Sequence, residues 1–327
     1  MLGKTMLAAV ALAALVAAPA AHLTTPAAAQ DNVPTRIIVP VPAGASTDTI
    51  ARALADKLRV SLNETVIVEN KPGAGQRLGM AELMKSPADG KTLLIASSAL
   101  YSIVPHIYGA QTGFDPEKDV LPVTRVVTVP TGLAAGLHTG ASNVAEFAAW
   151  AKAHPDKASF GSPGAGSSSH FTGLLLSKAI GVPLTHIAYR GGAPALTDLM
   201  GGHIPLVSSA FSDMPALHTA GKLKVIAITS GKRSPVLPDV KTLKEQGVDV
   251  EFDLGFDVHI KAGAPAGTVE RLNKALVEAI KAPDVQAQFL KLGLTPAGTT
   301  PKELADQQAA EIKFWAGPVK ESGFKGE

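Results

Sequence analysis

The sequence predicts an α/β fold built as two lobes, each a sheet covered by helices, and three observations predict it. Short apolar runs alternate with amphipathic helical stretches from residue 37 to residue 228, the signature of a mostly parallel sheet packed against helices. The second half repeats this style without repeating the sequence. No low-complexity linker joins the halves, so the chain is expected to cross between lobes and come back.

Ile37–Val41, Val66–Val68, Leu93–Ala96 and Val123–Val129 read as short buried strands,. Between them, Asp48 to Val60 puts Ile50, Leu54 and Leu58 on one helical face, and Leu78 to Lys85 follows the turn at Pro72-Gly73,. In the second half a strand ends at Phe160, and strands follow at Ile187–Tyr189, Pro205–Val207 and Leu223–Ile228. Ala193 to Met200 and Met214 to Thr219 are the helices between them. The C-terminal part turns helical: Thr268 to Lys281 aligns Leu272, Leu276 and Ile280, and Pro301 to Phe314 starts with a proline where a missing N–H costs nothing,. The first lobe is expected from residues 31–126 and 258–327, the second from 127–257.

Residues 1–29 read as a cleaved signal peptide. Lys4 gives a positive start, Met6 to Ala18 is apolar but too short to span a bilayer, and Ala27-Ala28-Ala29 is a small-residue cleavage site,. An exported chain is therefore expected. It has no cysteine, hence no disulfide and no thiol-linked lipid, and must rely on core size for stability. The net charge of +2 drops to +1 without Lys4, which leaves no electrostatic footprint for nucleic acid or anionic lipid. Past the leader no apolar stretch is long enough for a membrane span.

Two stretches carry the functional reading. In "VPVPAGASTDTIARALADKL" a strand hands over to a helix through small and hydroxyl residues, Ala45, Ser46, Thr47 and Asp48 among them. The unpaired N–H groups of a first helical turn attract anions. "GSPGAGSSSHFTGLLLSK" repeats the arrangement in the second lobe, with Gly166, Ser167, Ser168, Ser169 and His170 at a helix start. Small residues in both loops permit close backbone approach to a ligand. Asp48 brings its own negative charge, and either caps its helix or contacts ligand directly. "GAGQRLG" departs from G-x-G-x-x-G and has no acidic residue at the ribose position, which argues against a dinucleotide; a P-loop is absent,. Nine histidines show no paired spacing for a metal,, so no cofactor and no metal are expected. Ser169 beside His170 suggests a nucleophile, but neighbours on a helix point about 100° apart and no G-x-S-x-G elbow occurs. An exported α/β hydrolase using Ser167 or Ser169 is the rival to a binding protein.

These stretches, with "VIVENKPGAG", "PADGKTLLIASS", "HIAYRGGAPALTDLMGGHI", "GKLKVIAITSGKRSPVLPDVKTLKEQG" and "APAGT", closely resemble the Bug (Bordetella uptake gene) or TctC family, the extracytoplasmic solute receptors of tripartite tricarboxylate transporters. The matches run in the family's order along essentially all of the chain after the leader. The resemblance implies a periplasmic binding protein fold (type II-like) with a ligand cleft between the lobes, no enzymatic activity, and delivery of a small carboxylate to membrane subunits by a monomer. A periplasmic sensor partner would read the same way. The resemblance also implies that the loops Ala43 to Asp48 and Gly164 to His170 grip a carboxylate from opposite sides, with Ser97, Ser98, Arg190 and Gly191 bordering the cleft.

Three departures stand out. Ala43 and Ala45 flank Gly44 where the family has P-P-G-G. The segment "SSAFSDMPAL" replaces the usual one, and its Phe211 is a candidate to stack on an aromatic ligand,. His259 and Lys261 stand where the family has tryptophan and glycine. In a strand they share a face, and if it is the cleft face both reach a second carboxylate. A dicarboxylate or an aromatic acid is the expected ligand.

Overall fold

The structure is a computed structural model and describes residues 33–326. The signal-peptide reading of residues 1–29 lies outside them. Eleven strands follow in chain order: β1 (Thr35–Val39), β2 (Val66–Asn70), β3 (Thr92–Ser97), β4 (Val120–Val129), β5 (Thr131–Ala135), β6 (Ser159–Ser162), β7 (Thr185–Ala188), β8 (Leu206–Ala210), β9 (Lys224–Ile228), β10 (Leu254–Lys261) and β11 (Thr295–Pro296). They form two sheets, in the orders β11-β4-β10-β3-β1-β2 and β7-β6-β8-β5-β9.

The sheets are mixed, which corrects the expectation of a mostly parallel one. β1 runs parallel to β2 and β3, and β6 runs parallel to β7 and β8. β10, in contrast, lies antiparallel between β3 and β4. The reason is topological: β3 leaves the first sheet at the edge facing the second lobe, and β10 enters there on its return.

The crossings also sit differently from the sequence reading. Val127–Val129 belong to the first sheet through their pairing with β10 and β11. β4 continues through Pro130 into β5 of the second sheet. Pro130 is the natural break, because it has no N–H to give to either ladder. Leu254 to Asp257 likewise pair in the first sheet.

Helix Ser46–Leu62 seals the first sheet with Ile50, Leu54 and Leu58, as their spacing required, alongside Leu272, Leu276 and Ile280 of helix Thr268–Lys281. The second sheet is covered on one side by helix Val144–Ala153, capped by Asn143, and on the other by helix Gly192–Met200. The sequence reading left out β5, β11 and the helices at Val144–Ala153, Ala99–Ser102, Val104–Tyr108 and Pro283–Lys291.

The last helix, Pro301–Ser322, runs past Phe314 and through Pro318 before Gly323 stops it in a left-handed turn. Its N-terminus is a capping box between Thr300 and Glu303,. It bridges the lobes: buried Trp315 packs with Ile103 of the first and Phe171 of the second. Among the described residues, no helix is long and apolar enough to cross a membrane.

Candidate functional site

Parallel strands end at a common edge, and open α/β sheets bind ligands at the carboxyl ends of their strands. In the first lobe that edge carries the loops after β1, β2 and β3; in the second, those after β6, β7 and β8. All the loops singled out from sequence lie on these two edges.

The loop after β1 is held open by Asp48. One carboxylate oxygen accepts the Gly44 N–H (2.9 Å) and the Arg52 Nε–H (3.0 Å). The other accepts from the Asn70 amide (2.9 Å) and a second Arg52 nitrogen (2.9 Å). Burial alone would raise the Asp48 pKa, but Arg52, the Gly44 N–H and Asn70 outweigh it and hold it below the usual range,. With both oxygens partnered, Asp48 braces the loop. Ala45 supplies only backbone as the helix N-cap. Ser46 is exposed, Thr47 is buried, and their N–H groups find no acceptor among the described residues.

The second loop follows the same logic with a different cap. The Ser167 hydroxyl donates to Gly164 O (2.7 Å) and accepts the His170 N–H (3.1 Å), which starts helix Ser168–Ile180,. The backbone N–H groups of Ser168 and Ser169 remain without acceptors among the described residues. Gly166 takes φ +76° to make the turn,. His170 is buried: its Nδ1 accepts the Gly166 N–H (3.2 Å) and its ring stacks on His186 at 3.8 Å. Burial first, and the neighbouring His186 second, push its pKa down to about 4. No bond joins it to the Ser169 hydroxyl, so the adjacent serine and histidine form no nucleophile pair. The Ser162 hydroxyl does meet His186 Nε2 at 2.8 Å. Ser162 is fully buried, and no carboxylate orients that imidazole among the described residues.

At these edges a cavity of about 240 Å³ is lined from both lobes. Gly75, Gln76 and Ser97 line it from the first lobe and Ala165 to Ser168 from the second. Leu100, Val104, Ile107 and Tyr108 add an apolar wall, and Phe324 of the C-terminal tail closes one side. The structure therefore brings together Ser97, Gly166, Ser167 and Ser168 of the expected set. The loop from Ala43 to Asp48 stands on the same sheet edge but does not line this cavity. Arg190 is exposed on its own loop, and Gly191 begins the next helix with its N–H on Pro163 O (3.0 Å). Ser169 and His170 sit behind the wall.

Four expectations need correction. Ser98 is spent on structure: its N–H donates to Gly255 O (2.8 Å) and its hydroxyl accepts the Gly255 N–H (3.1 Å), tying β3 to β10. Phe211 is 1% exposed, packed in the second lobe's core with Leu196 and Met214, and does not line this cavity. His259 is 0% exposed, stacked on Tyr101 at 3.9 Å, with Nε2 bonded to Gln308 Oε1 at 2.8 Å. The Lys261 ammonium donates to Met84 O (2.7 Å) and Ser86 O (3.0 Å) at the end of helix Arg77–Lys85. His259 and Lys261 do share a face, but it is the one covered by Tyr101, Gln308 and the end of helix Arg77–Lys85. β10 enters at the cleft with Leu254, so Lys261 lies at its far end, about 20 Å away at the usual rise per strand residue.

A prediction follows for Lys261→Met. Loss of its ammonium bonds should cost about 1.5–3 kcal/mol of stability, read from urea unfolding, and leave ligand affinity within about twofold of wild type. A large affinity loss would return Lys261 to the cleft.

Sequence reasoning missed Gln76, Tyr108, Ile107 and Phe324. The left-handed turn Ala74-Gly75-Gln76 has a signal in its glycines, but neither the nucleotide motif nor the family stretch that contains them assigns the turn a ligand contact. Phe324 had none, because its partners are more than 150 residues away.

Comparison with known proteins agrees with this architecture. The family model described as "Tripartite tricarboxylate transporter family receptor" matches residues 50–323. The protein BugT of Bordetella pertussis is 35% identical over 315 residues, covering 95% of this chain and 94% of BugT. The periplasmic binding protein BugD superposes with a TM-score of 0.76 at 33% identity, covering 90% of this chain and 99% of BugD. An R. palustris protein solved with adipate gives a TM-score of 0.78 at 28% identity, covering 89% and 98%. Two lobes of the periplasmic binding protein type, hydroxyl-rich loops on facing sheet edges and a match along most of the chain lead to one assignment: this protein belongs to the TctC family of tripartite tricarboxylate transporter receptors.

Proposed function

We propose that the protein is a periplasmic receptor that takes a small carboxylate into the cleft between its lobes and hands it, as a monomer, to the membrane subunits of a tripartite transporter. The observation that carries this reading is the cavity that joins Ser97 of the first lobe to Ser167 and Ser168 of the second. The unpaired N–H groups at the start of helix Ser168–Ile180 are oriented donors for an anion,. Their positions are fixed by the Ser167 cap before any ligand arrives, so little ordering entropy opposes binding. The R. palustris structural neighbour solved with adipate puts a dicarboxylate in the first panel of ligands.

The first test is thermal unfolding with adipate, hexanoate, benzoate and terephthalate. A true ligand at one hundred times its Kd adds about 2.7 kcal/mol of stability by mass action, a plain rise in Tm. Ser168→Leu should abolish that rise while far-UV circular dichroism stays unchanged. The reading fails if no acid shifts the wild type, or if the Ser168 variant responds as the wild type does. Turnover of an ester, lost in Ser169→Ala, would favour a hydrolase instead.

A further inference from the structure

We propose that the cavity between the lobes is shaped for a carboxylate with an aromatic body, the carboxylate held by Gln76 and the ring walled by Phe324. This rests on the receptor reading above and names the ligand class of the same site. The cavity, about 240 Å³, is lined by both polar and apolar groups: Gln76, Ser97 and Ser168 on one hand, Leu100, Val104 and Phe324 on the other. An apolar cavity of about 150 Å³ holds a benzene ring, so a ring with one carboxylate fits. None of the lining residues is charged; the Arg77 guanidinium lies 3.7 Å over the Tyr108 ring beside them and gives its Nε–H to Ala74 O, which leaves neutral donors to meet the carboxylate. A second carboxylate set against Leu100 and Val104 would have no partner, a costly arrangement.

Gln76 is placed by unusual backbone. Ala74, Gly75 and Gln76 have φ values of +47°, +60° and +75°, three left-handed residues in succession. Residues with a Cβ rarely adopt this conformation. The turn sets Gln76 Oε1 3.1 Å from the Ser97 N–H. Because that N–H only donates, the amide oxygen must face it, and both Nε2 hydrogens are left for the cavity. They have no acceptor among the described residues. An amide fixed by its oxygen and free at its nitrogen is a preset carboxylate donor.

Phe324 is placed by the end of the last helix. After Gly323 turns the chain, the Phe324 N–H donates to the Ser322 hydroxyl at 3.0 Å. The ring then stands edge-to-face with His170 (5.5 Å, 79°) and Phe171 (6.2 Å, 78°) of the second lobe. Ile107 of the first lobe meets it at Gly166: a Cβ there would lie 2.8 Å from the Phe324 ring and 3.2 Å from Ile107 Cδ1. Phe324 thus touches both lobes at the cavity wall. A flat ligand ring gains from an aromatic wall beyond the area it buries, and an alkyl chain does not.

Calorimetry with benzoate and adipate tests this on wild type, Phe324→Ala and Gln76→Gly. Benzoate should bind wild type about tenfold tighter than adipate, and Phe324→Ala should lose about tenfold for benzoate and under about twofold for adipate. Gln76→Gly removes the amide and relieves the backbone, so its Tm should hold or rise while both acids weaken about tenfold. A merely structural Gln76 would not separate affinity from stability in this way. The inference is overturned if adipate binds more tightly, if Phe324→Ala treats both acids alike, or if Gln76→Gly binds as wild type. Binding of neither acid to wild type overturns the inference, and an empty four-acid panel overturns the receptor reading as well.

Discussion

Arg125→Met should destabilise the protein by about 3–5 kcal/mol, the range for removing one partner of a buried ion pair. Arg125 lies on β4 where the chain prepares to cross between lobes, and is 4% exposed. Its guanidinium grips Asp257 of β10 bidentately, at 2.7 and 2.9 Å, and donates to Glu311 of the last helix at 2.8 Å. Gly255 makes room for it, since any side chain there would meet the guanidinium. Three elements are thus pinned by one cation. Without Arg125, Asp257 (1% exposed) and Glu311 face each other with no counter-charge. Burial already pushes Glu311 above the ordinary glutamate range, and pushes nearby Asp253 up to about 6, against the pull of Arg125,. Urea unfolding measures the loss. Replacing all three groups by uncharged residues should recover much of it, because the penalty comes from orphaned charge and not from lost volume. A single-variant loss under about 1 kcal/mol would show that the cluster is solvated in solution.

The second large effect is the share of His259 in the acid limb of stability. Burial pushes its pKa down to about 4, and Arg125 adds to this against the opposing pull of Asp257 and Gln308. A histidine depressed in the folded state contributes stability that is present above its unfolded pKa, about 6.5, and is lost as pH falls through the folded value. The window is therefore pH 6.5 to 4, and the loss is about 3 kcal/mol for this one group. His259→Phe keeps the stack on Tyr101 and removes the proton site. Stability measured against pH should fall less steeply in the variant across that window. The difference between the two curves isolates His259, because every other titrating group is common to both proteins: buried His170, also held at about 4, runs the same way, while the raised Glu311 and Asp253 favour the folded state at low pH and lose that effect as pH rises,. Parallel curves for the two proteins would sink the assignment.

Periodicity and turn chemistry carried much of the fold. The spacing of Ile50, Leu54 and Leu58 required a helix with one buried face, and the hydroxyls of Ser167 and Ser168 before an apolar run required a helix start. These signals are local: each is decided within one or two turns of chain, where geometry alone fixes which residues are neighbours. The family resemblance agreed with the two lobes read from that alternation and added the binding-protein type with its cleft between them.

Tertiary structure decided everything that depended on a distant partner. Alternation put His259 and Lys261 on one face of a strand, but the faces of β10 are distinguished only by what covers them. Tyr101, Gln308 and the end of helix Arg77–Lys85 cover that one. Asp48 could have been a cap or a ligand group, and Arg52 and Asn70 filled its oxygens first. Phe211 turned into the core because Pro130 receives its N–H (2.9 Å) on the neighbouring crossing strand. Phe324 reached the cleft only because a 22-residue helix carries the chain end back between the lobes. A sequence states what each residue can do within its own turn of chain; which capacity is used is settled by contacts that only the folded chain creates.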